Sequence, residues 1–231
     1  MTTQTPARPV RRSAVPAQSP NLKNTAPVDL LDDSNAIWAG NLQGNVLSGH
    51  GRDHTVNVFL KLPAGQAAKD AIGLIAPLVT SARQQAEEQE QYRLYKLPGR
   101  LFVGLLLSAN GYSRLGHTDV DLVKAFAEAP STIRNEQSTF LDGMAMHAEA
   151  DLGDPPESTW DQGFRGGKID AMLLLADDDE AFLKRAARGF INVLTQAGCE
   201  LLTVEIGEAL RTDGGEGIEH FGYVDGRSLC S

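Results

Sequence analysis

Four short apolar runs and the two amphipathic stretches between them limit most strongly what this 231-residue chain can fold into. The apolar runs are residues 55–62, 101–107, 169–176 and 201–206. Their content of β-branched residues and leucine indicates strands. Apolar residues recur every three or four positions in residues 66–91 and again after residue 180, which indicates helices. The order predicts an α+β fold, a ferredoxin-like split βαβ sandwich whose antiparallel sheet carries helices on one face.

Two further stretches differ from these periodic elements. Residues 1–28 are rich in Pro, Ala, Ser and Thr and almost without large apolar residues, so we expect a disordered tail. Residues 129–168 form a long irregular crossover, and a segment of this length is usually functional or packed by its own aromatic residues. We therefore predict one ferredoxin-like domain over residues 29–231. Pro77 predicts a kink or a break in the first helical stretch.

The charge of the chain excludes several classes of partner. The formal net charge is -9, and beyond residue 28 there are 17 basic against 30 acidic residues. Such a surface repels phosphate backbones, and the strands lack the aromatic and basic motif of an RNA-binding sheet, so we expect no nucleic-acid partner. No apolar run approaches the roughly 18 residues of a membrane-spanning helix. Because no apolar segment follows Arg11 and Arg12, we expect no signal peptide, and a cytoplasmic location.

The histidines and cysteines do not form a metal-binding pattern. His50 and His54 are four residues apart, but this spacing brings two side chains to one face only on a helix. Gly49 and Gly51 argue against a helix there. The cysteines are two and far apart in sequence, which suggests neither a metal cluster nor a disulfide framework. We predict no metal site formed by this chain alone.

A carboxylate between two glycines is the main candidate for chemistry. Asp225 lies in the sequence Gly-Tyr-Val-Asp-Gly, between Gly222 and Gly226. Glycine permits backbone conformations that other residues resist, so a tight loop here can point the Asp225 side chain outward. Val-Asp-Gly is also an ordinary turn sequence. The residues alone leave a catalytic acid and a structural turn both open.

Resemblance to a known family favours the catalytic reading. Residues 222–226 match the GxxDG signature of the dye-decolorising haem peroxidases, with an acidic and an aromatic residue before the motif as in that family. The segment Gln43–Asn45 before the first strand is similar to the family as well. So is the order of residues in the crossover, namely Phe140, Gly143, Met144, Leu152, Gly153, Asp154, Pro155 and Trp160. The chain resembles the N-terminal half of a dye-decolorising (DyP-type) haem peroxidase and ends just after the motif.

The resemblance implies an enzyme that uses haem b. It implies reduction of hydrogen peroxide and oxidation of dyes or phenolic compounds, which are bulky reducing substrates. Asp225 would be the distal acid–base catalyst that moves protons during cleavage of the peroxide bond. Residues around it would contact the haem, namely Gly222, Val224, Gly226, Arg227 and Ser228.

The sequence also departs from the family. Members carry a second ferredoxin-like domain with the proximal histidine ligand of the iron, and we expect this C-terminal haem-ligating domain to be absent. None of the five histidines of the chain matches that ligand. Arg227 stands where the family usually has an aliphatic residue. The alternative is a truncated, non-catalytic ferredoxin-like module with an exposed sheet face, acting as a homo-oligomer or by pairing with another chain.

Overall fold

The computed structural model describes residues 28–128, 137–214 and 217–219. The strands of its main sheet are β1 (His54–Lys61), β2 (Phe102–Leu107), β3 (Ala171–Asp177) and β4 (Glu200–Glu208). All neighbouring strands are antiparallel and lie in the order β2-β3-β1-β4. Strands β1 and β2 are joined by a helical connection and have β3 between them. Strands β3 and β4 are joined in the same way and have β1 between them. This order confirms the predicted split βαβ fold.

The described helices confirm both predicted helical stretches and include others that were not predicted. They are α1 (Ala36–Asn41), α2 (Gln66–Ile75), α3 (Ala82–Tyr95), α4 (Ala109–Arg114), α5 (Asp119–Glu128), α6 (Gln137–Asp142), α7 (Met144–His147) and α8 (Glu180–Gln196). A 3-10 turn at Ala76–Leu78 separates α2 from α3, because Pro77 lacks the N–H that a continuous helix needs. Ser81 then starts α3 by accepting a hydrogen bond from the N–H of Gln84. In the described part of the chain, no helix is both long enough and apolar enough to cross a bilayer.

The core lies between one face of the sheet and the helices α2 and α8. Alternate residues of the central strand β1 point into it, and Val58 and Leu60 are almost completely buried. Strand β3 adds Leu173 and Leu175 to the same face. The helices contribute Ala68, Ala71 and Ile75 from α2 and Leu183, Ala187 and Leu194 from α8. The two principal helices therefore cover one face of the sheet, as predicted.

Irregular segments cover part of the second face of the sheet. Phe59 of β1 contacts Phe164 of the crossover edge to face, with ring centroids 5.1 Å apart. At the other end of this face, the ring of His50 packs against Phe102 with centroids 5.4 Å apart. The described part of the crossover is more regular than predicted, because it contains α6, α7 and two 3-10 segments, Glu157–Thr159 and Gln162–Gly167.

The connection from β2 into α4 packs tightly against the start of β3. The backbone N–H of Ser108 donates to the carbonyl oxygen of Asp170 over 3.0 Å, and the Ser108 side chain caps α4 through the N–H of Gly111. A Cβ atom at Gly111 would overlap the carbonyl oxygen of Asp170. Glycine is therefore required at Gly111 by close approach of two backbones rather than by backbone angles.

We predict that Gly111→Ala lowers the free energy of unfolding by roughly 1–3 kcal/mol, because the added methyl group must displace the backbone of Asp170, just before β3. The matched control is Gly73→Ala, in α2, where an added Cβ meets nothing within 4 Å. Helix propensity predicts that this control raises the free energy of unfolding by up to about 1 kcal/mol. Urea denaturation followed by circular dichroism measures both. Equal effects of the two substitutions would contradict the packing at Gly111.

Candidate active site

The predicted site residues lie outside the described part of the chain. This holds for Asp225 and for the predicted haem contacts Gly222, Val224, Gly226, Arg227 and Ser228. Residues 1–27 of the predicted tail also lie outside it. What the structure does describe is the path of the chain toward the motif, which runs through β4 and ends at Glu219.

This path is fixed to the start of the central strand β1. The N–H of Ala209, just after β4, donates to the carbonyl oxygen of Asp53 over 2.7 Å. The guanidinium of Arg211 forms an ion pair with the Asp53 carboxylate, and this contact raises the pKa of Arg211. A short ladder then pairs β5 (Leu210–Arg211) with β6 (Gly217–Ile218). The described chain therefore arrives at Glu219 beside the His54 end of the sheet.

A cavity of about 560 Å³ opens at this end of the sheet. Its lining includes His50, Arg52, Asp53, Glu88, Tyr92 and Arg211. The N–H of Asp53 also donates to Asp178, another lining residue, over 3.0 Å. The cavity is of a size typical for small-molecule sites, but half of its lining residues are charged. We take it as the candidate site because the chain leading to the predicted motif forms part of its wall.

A buried carboxylate organises one side of this cavity. Glu88 of α3 is only 7% exposed. Its oxygens accept hydrogen bonds from Nη2 of Arg52 at 2.6 Å and from Nε of Arg100 at 2.9 Å. Gly99 makes this possible, because a Cβ there would overlap the Arg52 guanidinium. Two arginines thus compensate one buried negative charge.

Sequence reasoning did not single out Glu88. It lies in the polar run Glu87-Glu88-Gln89-Glu90, which is typical of a solvated helix face. Its partner Arg52 is 36 residues away along the chain. A weak signal was available, because Glu88 follows the buried Gln85 by three residues and Gln85 follows the buried Ala82 by three. That spacing places all three on the inward face of α3.

His50 is held in a neutral, oriented state at the cavity. Its Nδ1 atom accepts a hydrogen bond from the N–H of Arg52 over 3.0 Å. Burial lowers the pKa of His50, and the nearby Arg52 charge lowers that pKa further. The imidazole is therefore uncharged at neutral pH. His147, in contrast, lies between Asp151 and Asp142 in the crossover, and its hydrogen bond to Asp151 raises its pKa.

The described part of the cavity does not by itself fit a haem. The flat faces of a porphyrin require apolar walls, whereas Arg52, Asp53, Asp178 and Arg211 line this cavity. No group of three or more His, Cys, Asp or Glu side chains that could hold a metal ion is found within residues 28–128, 137–214 and 217–219. Asp53 and Glu88 are each paired with arginine, so these carboxylates serve to position neighbouring groups.

Comparison with known proteins agrees with the family resemblance of the sequence motifs. The family described as the DyP dimeric alpha+beta barrel domain matches residues 41–209. The multifunctional dye peroxidase DyP2 of Amycolatopsis sp. is 35% identical over 193 residues, which are 84% of this chain and 38% of that protein. Peroxidase 2 of Mycetinis scorodonius is 28% identical over 92% of this chain and 38% of that protein. The chain thus spans less than two fifths of the length of these relatives.

Solved structures agree with the sequence comparison. The crystal structure of the Anabaena sp. DyP-type peroxidase AnaPX superposes with a TM-score of 0.69 at 35% identity, covering 85% of this chain and 41% of that one. The structure of DyP2 from Amycolatopsis sp. gives a TM-score of 0.67 at 34% identity, with 81% and 37% covered. A dye-decolorizing peroxidase in complex with 2,6-dimethoxyphenol gives 0.62 at 28% identity.

We predict that Glu88→Gln lowers the free energy of unfolding by about 3 kcal/mol, because it leaves the Arg52 guanidinium, itself only 10% exposed, without its counter-charge. The matched control is Glu90→Gln, two residues along α3, which removes an exposed ion pair with Arg93. We expect the control to leave stability unchanged. Urea denaturation of both variants tests this, and a Glu88→Gln variant as stable as the control would show that the buried pair does not organise the cavity.

Proposed function

Because the chain belongs to the DyP-type peroxidases, through the dimeric alpha+beta barrel domain that matches residues 41–209, we propose that it carries the peroxide-activating side of a haem peroxidase. The proposed substrates are hydrogen peroxide and a bulky reducing compound such as a phenol or a dye. The complex of a relative with 2,6-dimethoxyphenol supports a phenolic reductant. The observation that carries the proposal is the family match, which ends at residue 209, thirteen positions before Gly222.

The described structure supports a site at the His54 end of the sheet. Glu219, the last described residue, precedes Asp225 by six positions. Six residues reach at most about 20 Å when fully extended. The proposal therefore requires the Asp225 backbone to lie within about 20 Å of Glu219, which follows β6. The ion pair of Arg211 with Asp53 joins the ladder of β5 and β6 to the start of β1, which favours the fixed position that acid–base catalysis requires.

In the proposed mechanism, Asp225 moves one proton between the two oxygen atoms of hydrogen peroxide. The ionised carboxylate takes the proton from one oxygen and delivers it to the other, which leaves as water. Haem, when bound, supplies the iron and porphyrin electrons for cleavage of the O–O bond. The residues proposed to contact it are Gly222, Val224, Gly226, Arg227 and Ser228. The proposal requires the iron ligand to come from outside the described residues.

A second candidate follows from the exposure of strand β4. This strand forms one edge of the sheet, and its Leu201, Val204 and Ile206 side chains are 39%, 36% and 65% exposed. An exposed apolar edge strand favours pairing with another polypeptide. The chain would then be a non-catalytic module acting by self-association or by pairing with a second chain. A protein that binds no haem and sediments as a dimer would favour this candidate.

We predict that Asp225→Asn lowers kcat/KM for hydrogen peroxide by about 10²–10⁴-fold in the haem-titrated protein, because an amide cannot carry the proton. Oxidation of 2,6-dimethoxyphenol, followed by absorbance, provides the assay. The matched control, Asp213→Asn, changes an exposed turn residue and should retain activity. Undiminished activity of Asp225→Asn would exclude Asp225 as the acid–base group, and absence of haem binding would favour the second candidate.

A further inference from the structure

A second cavity, of about 630 Å³, lies at the opposite end of β1 from the candidate active site. Its lining includes Lys61, Arg114, Lys168 and the carboxylate of Asp170. Three basic side chains around one cavity contrast with the net charge of -9 of the whole chain. A fourth, Lys69, reaches the edge, because its Nζ would lie 3.8 Å from a Cβ added at the lining residue Gly116.

The basic side chains that line this cavity are only weakly paired with acidic residues. Lys168 is exposed and forms no ion pair with the described residues. Lys61 contacts Glu200 at 3.4 Å, but the Glu200 side chain is 61% exposed, so this pair is weak. The ion pair of Arg114 with Asp170 joins the Nε atom to Oδ2 over 3.3 Å. The terminal nitrogens of Arg114 have no hydrogen-bond partner within the described part of the chain.

Asp170 positions Arg114 rather than neutralising the cavity. Its side chain is only 3% exposed, and its Oδ2 atom accepts a hydrogen bond from the N–H of Leu62 over 2.9 Å. The carboxylate is thus committed to the end of β1 and to the Nε atom of Arg114. The three lining cations and this one anion leave a net charge of about +2 facing the cavity.

The backbone around the cavity favours an anion as well. Helix α2 begins directly after the lining residues Ala64 and Gly65, and no side chain caps its first turn. The first N–H groups of a helix lack intrahelical partners and carry partial positive charge. Gly65 and Gly167 keep the wall open, since a Cβ at either position meets nothing within 4 Å.

We propose that this cavity binds the phosphate group of a small molecule. A phosphate monoester carries nearly two negative charges at neutral pH, which matches the net charge of the cavity. Arginine and lysine are the side chains that pair best with phosphate oxygens. The cavity volume is typical of small-molecule sites, and the acidic surface of the rest of the chain disfavours a nucleic acid.

Isothermal titration calorimetry tests this assignment with two probes, inorganic phosphate and glycerol 3-phosphate, at constant ionic strength. We expect saturable binding of one stoichiometric equivalent. Lys168→Gln should raise Kd about tenfold, since one charge-assisted hydrogen bond is lost. The matched control is Lys124→Gln, an exposed lysine of α5 that does not line the cavity, and its Kd should remain unchanged.

The two probes distinguish the source of the phosphate. Tighter binding of glycerol 3-phosphate assigns the site to a phosphorylated metabolite, and equal binding assigns it to free phosphate. Binding of neither probe overturns the proposal. So does an equal loss of affinity in Lys124→Gln and Lys168→Gln, because that result would reflect the net charge of the protein alone. Circular dichroism establishes that both variants, which alter exposed side chains, are folded.

Discussion

The pairing of β1 with both β3 and β4 is the constraint on which the rest of the structure depends. His54 lies opposite Asp177 of β3 and Glu208 of β4, so three chain segments meet at one end of the sheet. Because the side chains of a strand alternate between faces, the same register points Val56, Val58 and Leu60 into the core. A shift by one residue would turn those side chains away from α2 and α8 and separate Asp53 from Arg211.

The two ends of β1 carry different electrostatics, and the difference follows from how buried carboxylates are compensated. At one end, Glu88 binds Arg52 and Arg100, so the charges are largely balanced. At the other end, Asp170 forms an ion pair with one arginine, Arg114, and further basic side chains surround the cavity. The pairing of Glu88 with its two arginines stabilises the cavity wall beside the chain that leads toward Asp225. The arrangement around Asp170 leaves uncompensated positive charge, which attracts an anion.

The strands could be predicted from the sequence because burial requires apolar runs of limited length. The first run was predicted at 55–62 and β1 spans His54–Lys61. The break at Pro77 was predictable because proline removes a helical hydrogen bond. The helical segments of the crossover were not predicted, since α6 and α7 are too short to show a clear period. The extension of β4 to Glu208 was missed because its last residues are polar or glycine.

The residues of the candidate site were harder to predict from the sequence than the strands and helices. The Asp225 motif came from its resemblance to a family, whereas the Arg52–Glu88 pair joins residues that only the tertiary fold brings together. No local pattern marks such a pair, because either residue alone resembles an ordinary surface charge. The cavity around Lys168 was missed for the same reason, since its cations come from β1, α4 and the crossover.

The most direct measurement is the stopped-flow rate of the absorption change that hydrogen peroxide produces in the haem-titrated protein. This rate isolates activation of peroxide from the later oxidation of the reductant. The account predicts a second-order rate constant that falls at least a hundredfold in Asp225→Asn while haem binding is retained. An unchanged rate constant in a variant that binds haem normally would contradict the assignment of Asp225 as the group that moves the proton.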